Sequence, residues 1–203
     1  MDTSSNSSNA AKSEVIPPGG YLTSRLLIAT PLVSAPAFSR AVILMFSHDE
    51  EGAMGFIINH IIENISYKDL FEQLSIDSSA SVEHLPVHYG GPVEINRGFV
   101  IYHFDDIPYS DTLLTTGNIA VSSSIHVLRD IAQGNGPKDR ILALGYAAWG
   151  AGQLEAEMEA NSWITVPATR ELIFEPDNAI KWKQAASSYG IDISRLTSYV
   201  GHA

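Results

Sequence analysis

Between an apolar stretch beginning Arg140-Ile-Leu-Ala-Leu and a second one, Trp163-Ile-Thr-Val, this chain carries Gly145-Tyr-Ala-Ala-Trp-Gly-Ala-Gly-Gln-Leu-Glu-Ala-Glu-Met-Glu-Ala-Asn-Ser. Three glycines, a tyrosine and three glutamates share this block with Trp149, and Trp163 closes it. Glycine admits turns and close backbone contact that other residues resist. The block therefore reads as a buried strand over Arg140–Ala147, a tight turn, a helix over Gly150–Asn161, and a strand over Trp163–Val166 ended by Pro167. On such a helix Leu154 and Met158 share one face, Glu155 and Glu159 another, and Gln153 aligns with Glu157.

The remaining elements follow from the same periodicities. Arg25–Thr30 is a short apolar strand stopped by Pro31. Ala41–His48 is a second buried strand, joined through the turn Asp49-Glu-Glu-Gly52 to a third over Ala53–Asn59. Ser66 is a helix N-cap with an acidic residue, Asp69, at the third helical position, and Leu70, Phe71 and Leu74 form the helical stripe. Pro86–Tyr89 and Gly98–Phe104 are strands on either side of Gly90-Gly91-Pro92, and Ile119–Ser122 is another. Ser123 or Ser124 caps a helix with Val127, Leu128 and Ile131 on one face, ended by Gly134. Asp177 or Asn178 caps a helix carrying Ile180, Trp182 and Ala185, and Asp192 starts a last short turn. Strands and helices do not alternate strictly, so the fold class is mixed α+β rather than doubly wound.

Composition narrows the function. The chain has 203 residues, of which 45% are apolar, enough for one domain with a substantial core. Residues 1–18 form a flexible Ser/Asn-rich tail ending in Pro17-Pro18, and 19–203 form the single domain. Acidic residues number 23 against 12 basic ones, a net charge of −11, and the basic residues are scattered. Duplex binding draws most of its affinity from Lys and Arg on phosphates, so direct nucleic-acid binding is not expected. The same field disfavours an anionic membrane surface. There is no cysteine, which removes disulfides, thiolate metal sites and cysteine nucleophiles and fits a reducing, cytoplasmic setting. Ala41–Phe46, the longest apolar run of note, falls far short of a membrane span of about 20 residues. The N-terminus lacks the basic and apolar regions of a secretory signal.

Several groups are candidates for chemistry. In Gly52-Ala-Met-Gly-Phe-Ile-Ile-Asn59 the glycines serve either hairpin geometry or the wall of a pocket tipped by Asn59. Gly90 and Gly91 are either a structural turn or an anion-binding nest, although Pro92 has no N–H to add and no phosphate-loop or dinucleotide motif is present. His84 and His88 have helical metal spacing, but Pro86 lies between them. On a strand, residues four apart are roughly 13 Å distant, too far for one ion. His103 with Asp105 and Asp106 is a better cluster, with His88 facing His103 across a strand pair; no spacing meets a metal template, and neither a metal nor a cofactor is expected. Ser122-Ser-Ser-Ile-His126 is explained by a helix cap, and no nucleophile elbow exists. Glu155 or Glu157 could act as a general base only if buried with its pKa raised.

Taken in order, Leu26-Leu-Ile-Ala-Thr-Pro31, Phe38-Ser-Arg-Ala-Val42, Gly52–Asn59, Gly90-Gly-Pro-Val93 with Arg97-Gly-Phe-Val100, and the Gly145–Trp163 block resemble the YqgE/AlgH family of bacterial proteins, over about residues 20 to 200. The chain departs from that pattern at Asn59-His60-Ile61, which lacks a proline, and at Ala148, where a glycine is usual. The resemblance implies an α+β fold with a bifurcated, mostly antiparallel sheet, part of it barrel-like, surrounded by helices. It implies no established activity; members are often labelled putative transcriptional regulators. Residues and resemblance together point to a cytoplasmic, non-enzymatic binding or regulatory protein. Its site is expected where the glycine segments meet the Trp149–Glu155 turn, with Asn59, Gly90, Gly91, Trp149, Gln153 and Glu155 holding a small molecule or protein. The alternative is a hydrolase-like enzyme with a glutamate of the Trp149–Glu157 segment as base. Homo-oligomerisation is left open.

Overall fold

The structure, a computed structural model, describes residues 22–105, 108–116 and 118–191. The tail over 1–18, the turn expected at Asp192, and Asp106 lie outside these. The described chain runs β1 (Arg25–Ala29), β2 (Val42–Asp49), β3 (Gly52–Ile57), β4 (Ile61–Ser66), α1 (Tyr67–Gln73), α2 (Ala80–Glu83), β5 (Pro86–Tyr89), β6 (Val93–His103), β7 (Leu114–Thr116), β8 (Ile119–Ser122), α3 (Ile125–Ala132), β9 (Arg140–Gly150), α4 (Gln153–Glu159), β10 (Trp163–Pro167), α5 (Arg170–Ile173) and α6 (Asn178–Ser187).

The sheet is built around β9. Its first half, Arg140–Leu144, pairs antiparallel with β6, and Leu142–Leu144 also pair in parallel with β5. Its last four residues, Ala147–Gly150, pair antiparallel with β3. One leaf therefore runs β10-β1-β2-β3-β9; the other runs β9-β6-β8-β7, with β5 and then β4 branching from β9. The sheet is bifurcated and mostly antiparallel, as the resemblance implies, and it stays open rather than closing into a barrel. Gly145 marks the branch with φ +71°. A Cβ there would lie 2.4 Å from the Gly91 carbonyl oxygen and 2.7 Å from that of Val93.

Both faces of the sheet are covered, which is why β1 and β2 read as unbroken apolar runs rather than alternating ones. In β2, Val42, Leu44 and Phe46 enter one cluster with Phe56, Phe99, Trp182 and Ala185. Ala41, Ile43 and Met45 enter another with Trp149, Leu154 and Trp163. A third cluster packs α1, α2 and α3, through Phe71, Val82, Val127 and Ile131, onto Val87, Val100 and Leu142. Burial on both faces makes each of these strands dependent on two layers of neighbours.

Most element boundaries match the sequence expectations, and the exceptions are informative. Ser66 caps α1 in a reciprocal capping box with Asp69, Ser124 rather than Ser123 caps α3, and Asp177 rather than Asn178 caps α6. The α4 helix begins at Gln153, not Gly150, because β9 continues through Trp149 and Gly150 to complete its ladder with β3. The expected stripe on α6 is rotated: Ile180 is exposed, and the buried face is Lys181, Trp182, Ala185 and Ala186. Two i,i+4 pairs, one led by a lysine, make that face. The edge strand β4, the short β7 and the one-turn helices α2 and α5 were not expected, and β6 begins at Val93 rather than Gly98. Ala148 is exposed opposite Met54, so its methyl group crowds nothing.

Candidate functional site

The six residues singled out from the sequence fall into three places. Asn59 follows β3 and is buried. Its Oδ1 accepts the Val42 N–H at 2.7 Å, and its Nδ2 donates to the Arg40 carbonyl at 2.9 Å. The side chain thus takes the role of a strand neighbour for the start of β2. Gly90 and Gly91 sit at the branch. The Gly90 N–H donates to the Leu144 carbonyl at 2.8 Å, and its carbonyl accepts from Ile57 at 2.9 Å. A Cβ on Gly90 would lie 2.2 Å from the Gly145 oxygen. On Gly91, where φ is +150°, it would lie 2.2 Å from the Tyr146 carbonyl carbon. Backbone does approach closely at these glycines, and the approaching backbone is the protein's own.

Trp149, Gln153 and Glu155 form the third place, with Glu157 at its centre. The indole N–H groups of Trp149 and Trp163 both donate to Glu157 Oε2, at 2.9 and 2.7 Å, and Gln153 Nε2 donates to Oε1 at 2.9 Å. Gln153 Oε1 in turn accepts the Gly150 N–H at 3.1 Å, serving a helix whose N-cap, Gly152, has no side chain. The rings of Trp149 and Trp163 meet edge to face, 6.0 Å between centroids, and Phe38 packs on both. Since Phe38 and Arg40 belong to one short segment, Asn59 and the tryptophan pair hold the same stretch from two sides. Glu155 is exposed and contacts His48 Nε2 at 2.8 Å, while His48 Nδ1 accepts the Leu22 N–H at 3.1 Å. Nδ1 must therefore be the unprotonated nitrogen, and Nε2–H donates to the carboxylate. Its own backbone N–H, and next the His48 contact, hold the Glu155 carboxyl below the usual range. That is the wrong direction for a general base at neutral pH.

A separate hollow lies beneath the α5–α6 turn. A cavity of about 190 Å³ is lined by Tyr67 of α1, Leu85, Pro86 and His88 of β5 and its approach, Arg140 and Ile141 of β9, and Phe174–Pro176, Asn178 and Lys181. None of the six expected site residues lines it. Lys181 is 1% exposed; its ammonium donates to the Ile58 carbonyl at 2.8 Å and the Ile173 carbonyl at 2.9 Å. Among the described residues it makes no ion pair. Burial brings its pKa down to about 8, with the Glu175 charge opposing the shift. His88 is 6% exposed. Burial first, and then the nearby Lys181 charge, push it down to about 4, so its ring is neutral at pH 7. Its Nε2 is 3.3 Å from Asn178 Oδ1 and its Nδ1 has no hydrogen-bond partner. Arg140 donates through Nη1 to the Pro137 carbonyl, and its buried Nε is also without a partner. Burial raises the Tyr67 hydroxyl to about 12, against the pull of Arg140, so it stays protonated.

Sequence reasoning reached His88 for a different reason and missed Lys181, Arg140 and Tyr67. The expected pairing of His88 with His103 does not occur. His88 sits opposite Ile61 and Ala143, whereas His103 sits opposite Ile119, 3.6 Å from Asp105. Among the described residues no cluster of three or more potential metal ligands is present, and no helix is long and apolar enough to cross a membrane.

The branched sheet and its glycine joints can be set beside known proteins. The AlgH-like family model (DUF179) matches residues 26–194. The chain belongs to the AlgH-like family. A UPF0301 protein of Rhodospirillum rubrum is 44% identical over 184 residues, covering 91% of this chain and 95% of the relative. A UPF0301 protein of Methylocella silvestris is 42% identical over 192 residues, covering 91% and 93%. Among solved structures, the solution structure of AlgH from Pseudomonas aeruginosa is 36% identical, with a TM-score of 0.73 and full coverage of both chains. A crystal structure from Corynebacterium diphtheriae has a TM-score of 0.68 at 16% identity, covering 88% of this chain and 92% of the other, and shares the fold. The AlgH-like assignment agrees with the resemblance drawn from the five sequence segments.

Proposed function

We propose that this AlgH-like protein is a non-enzymatic, cytoplasmic small-molecule-binding protein whose seat is the cavity beneath the α5–α6 turn. One observation carries the reading: a cavity lined by a fully buried lysine that, among the described residues, has no ion-pair partner. Native interiors satisfy nearly all such groups, and exceptions ask for an explanation. A ligand supplying a partner for that ammonium is the simplest one. Catalysis at the Trp149–Glu157 segment is less well supported: Glu157 is occupied by three protein donors, and Glu155 is exposed and made more acidic. Any regulatory role would run through ligand or protein contacts rather than DNA, given the charge of −11.

The test is amide NMR of the full chain titrated with pooled small metabolites. The reading predicts saturable shifts centred on Tyr67, His88 and Asn178. Shifts centred instead on Trp149, Gln153 and Glu155 would move the seat to the site expected from sequence.

A further inference from the structure

We infer that the cavity takes one compact oxyanion, a small carboxylate or a phosphate group, against Lys181 and Arg140. This rests on the reading that the cavity is the binding seat, and it adds the chemistry of the ligand. Lys181 is a tetrahedral donor with two of its three N–H groups spent on backbone carbonyls, one at the end of α5 and one just beyond β3. Those carbonyls fix the ammonium in place but carry no charge to neutralise it. Burying an uncompensated ammonium is costly, and such groups are ordinarily paired.

The cavity's other ionisable groups come from α1, β5, β9 and the α5–α6 turn. Tyr67 from α1 and His88 from β5 are neutral at pH 7. Arg140 from β9 is a second cation. Glu175, in the α5–α6 turn, is the one carboxylate in the lining; its Oε1 accepts the Asp177 N–H at 3.1 Å, and it forms no ion pair with either cation. Two cations against one carboxylate leave a local excess of one positive charge, inside a chain whose net charge is −11. A neutral ligand leaves that excess in place, whereas a monoanion cancels it. Arg140 lines the same cavity, and guanidinium suits planar carboxylate and phosphate oxygens alike.

Size is compatible with that class. A cavity needs about 10–15 Å³ to hold one water, so one of about 190 Å³ admits several. That accommodates an acetate or a phosphate group.

The experiment titrates inorganic phosphate, acetate and neutral acetamide separately into the full-length protein at pH 7, reading the amides of Tyr67, His88 and Asn178. Phosphate, acetate or both are expected to give saturable shifts at these positions, and acetamide none at the same concentration. The probe that binds more tightly identifies which oxyanion the seat prefers. Arg140→Gln and Lys181→Met should each weaken the binding by at least about tenfold, as expected when one partner of a buried charged contact is removed. If Lys181→Met does not fold, Arg140→Gln alone carries the test. Acetamide binding as tightly as acetate would overturn the charge assignment while leaving the cavity as the seat. Saturable anion shifts elsewhere, with the cavity amides unmoved, would overturn both readings. Anion binding unchanged in the variants would overturn the oxyanion proposal.

Discussion

Glu157 is half-buried, yet it satisfies the polar ends of two core tryptophans that, among the described residues, have no other acceptor in their hydrogen bonds. Glu157→Ala is therefore expected to destabilise the protein by about 2–4 kcal/mol, since the buried indole N–H groups lose their partner. Glu157→Gln, which keeps a carbonyl oxygen, should lose less; urea unfolding measures both. Gly91 and Gly98 make a sharper contrast. A Cβ on Gly91 meets the Tyr146 backbone at 2.2 Å with φ at +150°, whereas on Gly98 it would touch only leucine methyl groups at 3.9 Å. Gly91→Ala is expected to cost at least about 3 kcal/mol or to prevent folding, and Gly98→Ala to stay within about 1 kcal/mol. Equal effects of the two substitutions, read by thermal denaturation, would refute the close-packing account of the branch. At the same scale, Lys181 and His88 carry opposite lessons for sequence reading. Histidine always attracts notice, so the sequence points to His88, though only in a cluster whose spacing meets no metal template, and among the described residues no group of three or more potential ligands forms. A lysine on a helix is assumed to be solvated, so Lys181 was passed over.

Elements buried on both faces were legible because nothing in them needs a wet side. The runs in β1, β2 and the first half of β9 could be read from apolarity alone. The β4 strand could not. Ile61-Ile-Glu-Asn-Ile-Ser66 lies at an edge, pairs only with β5 and keeps Glu63 and Asn64 in water, which breaks the pattern a strand is recognised by. The misplaced start of α4 has a different cause. Trp149 and Gly150 carry no periodicity that separates the last ladder residues of a strand from a helical turn, and only β3 decides between them. Caps were legible because they are local. Ser66 both accepts from Asp69 and has its own backbone N–H accepted by the Asp69 carboxylate at 2.7 Å. Ser66→Ala should cost about 1 kcal/mol in chemical denaturation, while a change near zero would mean that packing of Tyr67 and Phe71 alone sets the start of α1.

Across the whole molecule, the sheet divides so that one long strand serves two leaves, and the cavity opens where the α5–α6 turn meets β5 and the start of β9. Its side chains come from four distant parts of the sequence, which is why no local motif announced it. The buried ionisable groups link this site to global stability. The folded-state pKa of Lys181 is lowered from 10.5 to about 8. Between pH 8 and 10 the unfolded chain therefore binds more protons, and stability should rise with pH, on the order of 2 kcal/mol across that window. Lys181→Met should lack this rise. His88 acts on the acid side in the same sense: its pKa is lowered from 6.5 to about 4, so its contribution to stability falls as pH drops from 6.5 through 4. The most direct measurement is the pKa of Lys181 itself, followed by side-chain NMR of specifically labelled protein without and with saturating phosphate or acetate. The account predicts a value near 8 in the free protein and a clear upward shift when the anion is bound, because an adjacent negative charge favours the ammonium. A lysine that titrates near 10.5 in the free protein, or one that does not move on saturation, would contradict it.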